Sequence, residues 1–529
     1  MKAILLKNAI VYDGSGAEGV RGDVLIQNGT VARITNRIAA ASAETIECDG
    51  LAVAPGFIDI HGHSDFSALA CPLAESRIAA GVTTELAGNC GISPYPMGGE
   101  LTERRRLHVV STGVDPTWLD AQGYYEAAAK VGCSMNTAFL VGHGNLRAVV
   151  VGYADRRATP AEMEEMKRLL NAGLDAGAYG MSTGLIYPPG CFAPTEEIIE
   201  LARVVGGRGG IYASHIRGEG RKLIEAVTEF LTIVEASGCR GILSHIKTMG
   251  PANWHKIDQL IALVTGARER GLNIHADRYP YLASHTGLDS QLFPDWVVEG
   301  GIDAELARLR DPAMRERLRE GLAQVCPHAD WADRVRICGC TTEGNAGLAG
   351  LSIRELAERW HTEPLEAVVR LLIEEQTCVT AIHFAMNEDN LRRIYRLPFV
   401  MIGSDSGVRS LSGDDKSKPH PRAFGTPERF LATYVRDQGL MSWGEGIRRM
   451  TGLPAEVLGW KRRGRLVEGA VADLVVFSRE LLADRSTYTD PVAAPAGVHH
   501  VLVAGQFVLR DGAHTGAKPG RIIQRGREE

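Results

Sequence analysis

The sequence predicts an α/β fold, a (β/α)8 TIM-type barrel with a small β-sandwich domain built from both termini. Three features of the chain lead to this prediction. Its middle alternates short apolar segments with amphipathic stretches, a pattern typical of parallel strands joined by helical crossovers. Its two ends carry short strand-like segments and turns instead. Polar residues follow several of the middle segments, as they do where barrel strands reach the functional face.

The predicted β domain comprises residues 1–55 and 455–529. Within its first part, Asn28-Gly29 is the strongest short signal for a β-hairpin. Apolar segments of strand length occur at both ends of the chain, at residues 4–11, 24–26, 31–34, 472–477 and 501–504. Two β-rich ends that flank a different middle favour one domain assembled from both.

The predicted barrel spans residues 56–454. Its strand candidates include residues 137–141, 210–214, 241–244, 273–277 and 400–403. Amphipathic helices lie between them, for example at residues 161–176 and 221–237. A doubly wound sheet is the alternative, but no Gly-x-Gly-x-x-Gly turn follows a strand. A charged stretch at about residues 288–345, with a helix over residues 304–322, is predicted to be a helical insertion.

Composition excludes several classes of function. The chain has 529 residues, and its net charge of −6 gives no basic surface for nucleic acid. No apolar run is long enough to cross a membrane, and the apolar part of the N-terminus is too short for a signal peptide. The 10 cysteines have irregular spacing that does not resemble a disulfide framework. We therefore expect a cytoplasmic protein, monomeric or homo-oligomeric, that acts on a small molecule.

The most informative motif is His61-Gly62-His63, which follows the apolar segment of residues 54–60. In a strand, residues two apart point to the same face, so both imidazoles would aim at one point. Neutral imidazole is the commonest metal ligand in proteins. The motif therefore predicts part of a metal site at a strand end.

Other metal-binding residue types follow predicted strands elsewhere in the middle of the chain. Each of these residues alone could have a purely structural role: a histidine whose hydrogen bonds are made within the protein, a cysteine in the core, or an aspartate that caps a loop. In a barrel, however, strand ends meet on one face, where the six could converge: His61, His63, Cys90, His215, His245 and Asp405. Imidazole, thiolate and carboxylate are zinc-type ligands. Four fill one tetrahedral site, and six suit two metals or one metal with a weaker second site.

At these residues the chain resembles the amidohydrolase superfamily and, within it, the D-aminoacylases (N-acyl-D-amino-acid deacylases). The resemblance covers essentially the whole chain. The His-x-His motif is shared across the superfamily, whereas Asn89-Cys90-Gly91 is narrower, because many relatives use a carboxylated lysine as the bridging ligand. Further matching segments are residues 180–189, 212–219, 244–250, 279–281, 403–405 and 420–426.

The resemblance implies a tightly held Zn2+ on Cys90, His215 and His245. It also implies a second, weaker site on three further ligands, His61, His63 and Asp405. Asp405 would be the catalytic general acid and base. The implied activity is zinc-dependent hydrolysis of the linear amide of an N-acyl-D-amino acid to a carboxylate and a free D-amino acid, a C–N bond other than a peptide bond.

The resemblance further implies that Arg422 and a tyrosine, Tyr279 or Tyr281, bind the α-carboxylate of the substrate. Lys247 lies two residues after His245 and would point to the same side, toward the substrate or toward a nearby acid. His143 follows a predicted strand and is expected to line the pocket.

Two departures from the family pattern lie on the substrate side. His285 stands where a carboxylate-binding serine is expected, and Ser406 separates Asp405 from Gly407. No arginine follows Thr286 of the kind that members with acidic substrates use, which argues against an N-acyl-D-glutamate substrate. Alternative functions are a dipeptidase for peptides with a C-terminal D-residue, a hydrolase of a cyclic imide or an N-substituted formamide, and a non-catalytic scaffold.

Overall fold

The computed structural model describes residues 2–109, 113–413 and 417–527, with the side chains of residues 106–109 excepted. The strands are β1 (Ile4–Val11), β2 (Val20–Gln27), β3 (Thr30–Thr35), β4 (Glu44–Glu47), β5 (Ala52–Pro55), β6 (Phe57–Asp59), β7 (Val82–Ala87), β8 (Asn136–Phe139), β9 (Val141–Gly142), β10 (Gly180–Gly184), β11 (Ile211–His215), β12 (Arg240–Leu243), β13 (Ile274–Arg278), β14 (Ala283–Gly287), β15 (Val335–Gly339), β16 (Thr380–Phe384), β17 (Val400–Ile402), β18 (Leu474–Phe477), β19 (Val498–Val503), β20 (Gln506–Arg510) and β21 (Ala513–His514).

The α-helices are α1 (Ser67–Ala70), α2 (Glu75–Ala79), α3 (Gly99–Val109), α4 (Ala121–Val131), α5 (His143–Val150), α6 (Pro160–Asp175), α7 (Thr195–Gly207), α8 (Leu223–Ser237), α9 (Ile257–Glu269), α10 (Leu288–Leu292), α11 (Asp295–Val298), α12 (Ile302–Arg310), α13 (Arg315–Val325), α14 (Trp331–Arg334), α15 (Ile353–Arg359), α16 (Pro364–Glu374), α17 (Glu388–Tyr395), α18 (Arg422–Arg429), α19 (Trp443–Arg448) and α20 (Gly452–Leu458). Among the described residues, no helix has the length and apolar composition that a membrane span needs.

A mixed nine-stranded sheet is built from both ends of the chain, in the order β21-β20-β19-β18-β5-β1-β2-β3 with β4 beside β1. The antiparallel pairing of β5 with β18 joins the two ends. The hairpin predicted at Asn28-Gly29 is confirmed. Both residues have positive φ (51° and 80°), as the tight turn between β2 and β3 requires.

Parallel strands make up the middle of the chain, in one sheet of order β6-β7-β8 and another of order β9-β10-β11-β12-β13-β17. Hydrogen bonds also link the segments that follow the two outermost strands, β6 and β17. The amide of Asp405 donates to the carbonyl of His61 at 2.7 Å, and the amide of His63 donates to that of Ser406 at 2.9 Å. The predicted α/β architecture with parallel strands is therefore confirmed.

The chain between the parallel strands β13 and β17 holds an antiparallel sheet, β14-β16-β15, with helices α10 to α16 packed around an apolar core of its own. The sequence pattern predicts one helix over residues 304–322, and this is wrong in detail. The helix breaks at Asp311, which has an extended backbone (φ −75°, ψ 113°), because Pro312 disfavours helical geometry in the residue before it and lacks an N–H group.

Strand β18 lies between two apolar cores and shows the two-residue period of a strand buried on both faces. Leu474 and Val476 pack in the core of the nine-stranded sheet, whereas Val475 and Phe477 pack in the large core of the parallel strands and their helices. Phe477 is fully buried, with its ring 6.0 Å from that of Phe57. This strand therefore packs the nine-stranded sheet against β6 and the core of the parallel strands.

We expect Phe477→Ala to lower the free energy of unfolding by about 3–5 kcal/mol, because the substitution empties a fully buried aromatic site between the two cores. Chemical denaturation measures this change. Phe507→Ala is the matched control, because Phe507 is only partly buried on β20 and its loss should cost clearly less. Equal losses in the two variants would contradict the interpretation of β18.

Candidate metal centre

The six predicted metal ligands lie at the carboxyl ends of parallel strands and converge there. His61 and His63 follow β6, Cys90 follows β7, His215 ends β11, His245 follows β12 and Asp405 follows β17. Four of their side chains are almost fully buried, and the other two are partly exposed: 24% for His63 and 12% for Asp405. Residues far apart in sequence meet because parallel strands end at the same edge.

The distances between the candidate donor atoms are short. Cys90 Sγ lies 3.3 Å from His61 Nε2 and 3.6 Å from His245 Nε2. Asp405 Oδ1 lies 3.5 Å from His61 Nε2 and 3.1 Å from His63 Nε2. With zinc–ligand bonds of roughly 2.0–2.3 Å, tetrahedral ligands lie about 3.3–3.8 Å apart. The observed spacing and the donor types therefore fit zinc.

His215 lies beside His245 in the cluster. Its ring centre lies 4.4 Å from that of His245. Both ring nitrogens of His215 are buried, and neither has a hydrogen-bond partner. A buried polar group without a partner is costly, and a bound metal ion is one of the few ways to satisfy it. This observation supports His215 as a metal ligand independently of the distances above.

Three of the six candidate ligands have a strained backbone. Cys90, His245 and Asp405 have φ values of 52°, 36° and 53°, in the left-handed region that non-glycine residues rarely adopt. Such a conformation costs on the order of 1–3 kcal/mol and persists only where the surroundings impose it. The Asp405 amide donates to the His61 carbonyl, and the His245 amide donates to Asp277 Oδ1 at 2.9 Å. Strain concentrated on these residues points to a functional site.

The electrostatics of the cluster favour the ionised forms that bind metals. Burial opposes ionisation of the Cys90 thiol, but the charge of His61 and the hydrogen-bond contacts with His61 and His245 hold its pKa well below the usual value. Burial also opposes ionisation of Asp405, but the charges of Arg422 and His245 hold its pKa well below the usual range. Thiolate and carboxylate are the forms that coordinate a metal.

Comparison with known proteins identifies the family. A family model described as "Amidohydrolase family" matches residues 44–509. This chain belongs to the amidohydrolase family. It is 36% identical to N-acyl-D-glutamate deacylase of Alcaligenes xylosoxydans xylosoxydans, over 99% of this chain and 96% of that protein. The predicted membership of the amidohydrolase superfamily is thus confirmed.

Solved structures agree with this assignment. The N-acyl-D-glutamate deacylase of Bordetella bronchiseptica, solved with zinc and a phosphonate mimic of the tetrahedral intermediate, has a TM-score of 0.84 at 34% identity, with 99% of each chain covered. A D-aminoacylase studied for its binuclear metal centre has a TM-score of 0.84 at 32% identity, with 99% of this chain and 100% of the other covered. The predicted resemblance to D-aminoacylases is confirmed in both sequence and fold.

Two carboxylates that sequence reasoning missed orient the histidines of this amidohydrolase. Asp277, at the end of β13, lies 3.0 Å from His61 Nδ1, which leaves Nε2 of that histidine facing Cys90. Glu219 Oε1 lies 2.8 Å from His245 Nδ1. Carboxylate partners of this kind fix the ring orientation and the tautomer of metal-binding histidines. The sequence signals were weak, a strand-end aspartate and a glutamate four residues after His215.

Lys247 pairs with Glu219 rather than lying free in the pocket, and its Nζ is 2.8 Å from His245 Nδ1. Burial opposes ionisation of Glu219, but the charges of Lys247 and the nearby histidines hold its pKa well below the usual value. Of the two partners expected for Lys247, a substrate or a nearby acid, the structure shows the acid, Glu219. The lysine still lines the cavity beside the candidate ligands.

A cavity of ≈350 Å³ opens beside the candidate ligands. Its lining includes His215, His245, Lys247, Tyr279, His285 and Asp405. The imidazole Nε2 of His285 is buried and has no hydrogen-bond partner. Burial and the nearby Arg422 lower the pKa of His285 to about 3, so this histidine faces the cavity in its neutral form. A cavity of this size suits a small-molecule ligand.

Arg422 contacts three predicted site residues that line this cavity. Its Nη1 is 2.8 Å from Asp405 Oδ2, and its Nη2 donates to the His285 carbonyl at 3.2 Å. Its guanidinium carbon lies 4.6 Å from the centre of the Tyr279 ring. The Tyr279 hydroxyl is buried without a hydrogen-bond partner. The structure thus brings both residues predicted to bind a carboxylate next to Asp405.

Two predicted substrate residues lie elsewhere in this structure. The Tyr281 hydroxyl donates to Asp484 Oδ2 at 2.9 Å, and its ring packs on His420. His143 is fully buried, with Nε2 2.9 Å from Glu197 Oε1. Neither residue is among those that line the cavity, so a substrate role for them stays a prediction.

We expect Cys90→Ala to weaken zinc binding by more than about 100-fold, because the substitution removes a thiolate ligand. Losing only a residue that hydrogen-bonds to a metal ligand typically weakens binding by about 10–100-fold. Competition with a chelator, followed by elemental analysis, measures the affinity. Cys239→Ala is the matched control, because Cys239 is similarly buried and its thiol donates to the Ala202 carbonyl, away from the candidate ligands. Wild-type zinc affinity in Cys90→Ala would exclude the thiolate as a ligand.

Proposed function

We propose that this chain is a zinc-dependent hydrolase that cleaves the linear amide of N-acyl-D-amino acids to a carboxylate and a free D-amino acid. The family membership supports hydrolysis of a C–N bond, and the D-configuration follows the names of the relatives. The residues around Asp405 support the amino-acid part of the proposal.

The observation that carries the proposal is the contact between Asp405 and Arg422, at 2.8 Å. In an N-acyl amino acid, the carboxylate and the scissile amide are attached to the same α-carbon. A substrate whose carboxylate is held by Arg422 would therefore place its amide beside Asp405 and the metal ligands. A planar guanidinium matches a carboxylate, and the buried hydroxyl of Tyr279 offers a further donor. Cyclic imides and formamides lack this carboxylate.

Zinc would be held tightly by Cys90, His215 and His245, and a second, weaker ion would be held by His61, His63 and Asp405. When bound, zinc polarises a carbonyl and lowers the pKa of a bound water to about 7. The fit rests on the donor types, on the unpartnered nitrogens of His215, and on the donor atoms of His61, Cys90, His245 and Asp405, which lie within 4.8 Å of one another.

Asp405 is the proposed general base and general acid. Its carboxylate accepts the proton of the attacking water and returns it to the amide nitrogen as the C–N bond breaks. Arg422 and Tyr279 hold the substrate carboxylate, and Lys247, held by Glu219, adds a cation to the lining of the cavity. Neutral His285 faces the substrate side chain.

We also propose that the parallel strands β6, β7, β8 with β9, β10, β11, β12, β13 and β17 form one closed (β/α)8 barrel at residues 56–454. The bonds between the segments after β6 and β17 support closure. The small β domain would comprise residues 1–55 and 455–529, in agreement with the nine-stranded sheet built from both ends.

We expect Asp405→Asn to lower kcat by about 10²–10⁴-fold, because an amide cannot carry the proton from water to the leaving nitrogen. Hydrolysis of a panel of N-acetyl-D- and N-acetyl-L-amino acids measures the loss. The matched control is Asp295→Asn, which removes another carboxylate from the lining of the same cavity. Full activity in Asp405→Asn with the tight zinc retained would disprove the assigned role.

We expect Arg422→Met to abolish the preference for substrates that carry the α-carboxylate. In the wild type, replacing this carboxylate with a methylamide should lower kcat/KM by roughly 10–150-fold. This factor corresponds to the loss of a hydrogen bond to a charged group, which contributes about 1.5–3 kcal/mol. The same change should have little further effect in Arg422→Met, since the cation has gone. A preference that persists in the variant would place the carboxylate elsewhere.

A further inference from the structure

A buried arginine outside the proposed catalytic residues joins three segments that carry them. Arg77 lies on α2 and is 2% exposed. Its Nη2 donates to Ser404 Oγ at 2.7 Å and also to the Ser406 carbonyl, and these residues flank Asp405. Its Nη1 donates to the carbonyl of Ala423, the residue after Arg422, at 2.8 Å.

Glu85, on β7, connects the same arginine to the His-x-His segment. Its Oε2 accepts from Arg77 Nε at 3.1 Å and from Ser64 Oγ at 2.8 Å, and its Oε1 accepts from the Ser64 amide at 2.9 Å. A Cβ added at Gly62 would lie 2.0 Å from the carboxyl carbon of Glu85. The residues on both sides of His63 therefore rest directly on this carboxylate.

Asp59, at the end of β6, supplies the second carboxylate. Its Oδ1 accepts from the His61 amide at 3.1 Å and from the Ser404 amide at 2.9 Å, and its Oδ2 lies 3.4 Å from Arg77 Nε. We call Arg77, Asp59 and Glu85 the Arg77 clamp. Its three groups are almost fully buried, and Arg77 Nε lies within 3.4 Å of a carboxylate oxygen of each acid, which offsets part of the cost of burying them.

The contacts of the Arg77 clamp lie on one side of the proposed metal site, near His61, His63 and Asp405. In the part of the chain that the structure describes, Arg77 bonds directly to residues beside Asp405 and Arg422, and it reaches the His61–His63 segment through Glu85 and Asp59. None of these contacts goes to a residue adjoining His215 or His245. The clamp therefore acts on one half of the site.

We propose that Arg77 is a positioning residue that sets the His61, His63 and Asp405 half of the metal site against Arg422. The inference rests on the proposed function for its effect on turnover, but not for its effect on metal binding. A guanidinium is required because its donors leave in several fixed directions and reach two carbonyls, a hydroxyl and a carboxylate at once. A lysine keeps the charge but offers only one donor centre.

The test compares Arg77→Lys with Arg449→Lys. Arg449 is 3% exposed, pairs with Glu445 at 2.9 Å and donates to the Tyr395 carbonyl at 2.6 Å. It is an equally buried arginine, and the hydrogen bonds of its side chain among the described residues reach no proposed site residue. We expect Arg77→Lys to weaken binding of the second zinc by about 10–100-fold and to lower kcat by a similar factor with a smaller change in KM, while the tight zinc is retained. Arg449→Lys should change only the melting temperature.

If Arg77→Lys does not fold, a milder variant tests the same proposal. Ser404→Ala removes a single donor–acceptor contact of the clamp and should shift the second zinc affinity and kcat in the same direction by a smaller factor. Unchanged second-zinc affinity and kcat in a folded Arg77→Lys, or in Ser404→Ala when only that variant folds, would overturn the proposal. A wild-type protein that binds two zinc ions but hydrolyses no N-acyl-D-amino acid would contradict the proposed function, and zinc affinity would still test the clamp.

Discussion

The two-sided contact of the Asp405 carboxylate is the interaction on which the candidate site depends. One oxygen lies within 3.5 Å of both histidines of the His-x-His motif, and the other lies 2.8 Å from Arg422. The carboxylate therefore separates the proposed metal site from the proposed carboxylate site by the width of a single group. That distance matches an α-amino acid derivative, in which the scissile amide and the carboxylate share one carbon.

Holding this carboxylate in place requires a backbone conformation that the residue would not adopt alone. Asp405 has φ 53°, and its neighbours on the chain are bonded to Arg77 and Asp59. Buried charges are costly unless they are paired, and breaking one pair typically costs several kcal/mol. The Arg77 clamp thus stabilises the strained backbone of Asp405, because any rearrangement would break buried ion pairs. The same reasoning applies to His245, whose strained backbone is held by Asp277.

Much of the fold could be predicted because local patterns are strong there. The hairpin at Asn28-Gly29 and helix α6, which has a complete capping box at Thr159 and Glu162, follow from local chemistry. The antiparallel sheet β14-β16-β15 was not predicted, because its strands are short and nearly 100 residues separate β14 from its partner β16. The break at Asp311 was readable from Pro312, but the apolar spacing on either side favoured one helix.

The sequence by itself determined the donor chemistry: six imidazole, thiolate and carboxylate residues, each placed where an apolar strand ends. It determined this because strand ends and ligand types are both local properties of the chain. Only the tertiary structure decided which groups support them. Asp277 and Glu219 orient histidines, Arg77 joins three segments, and Tyr281 turns away to Asp484. These contacts link residues distant in sequence, and side-chain direction after a strand ends depends on packing that no local pattern encodes.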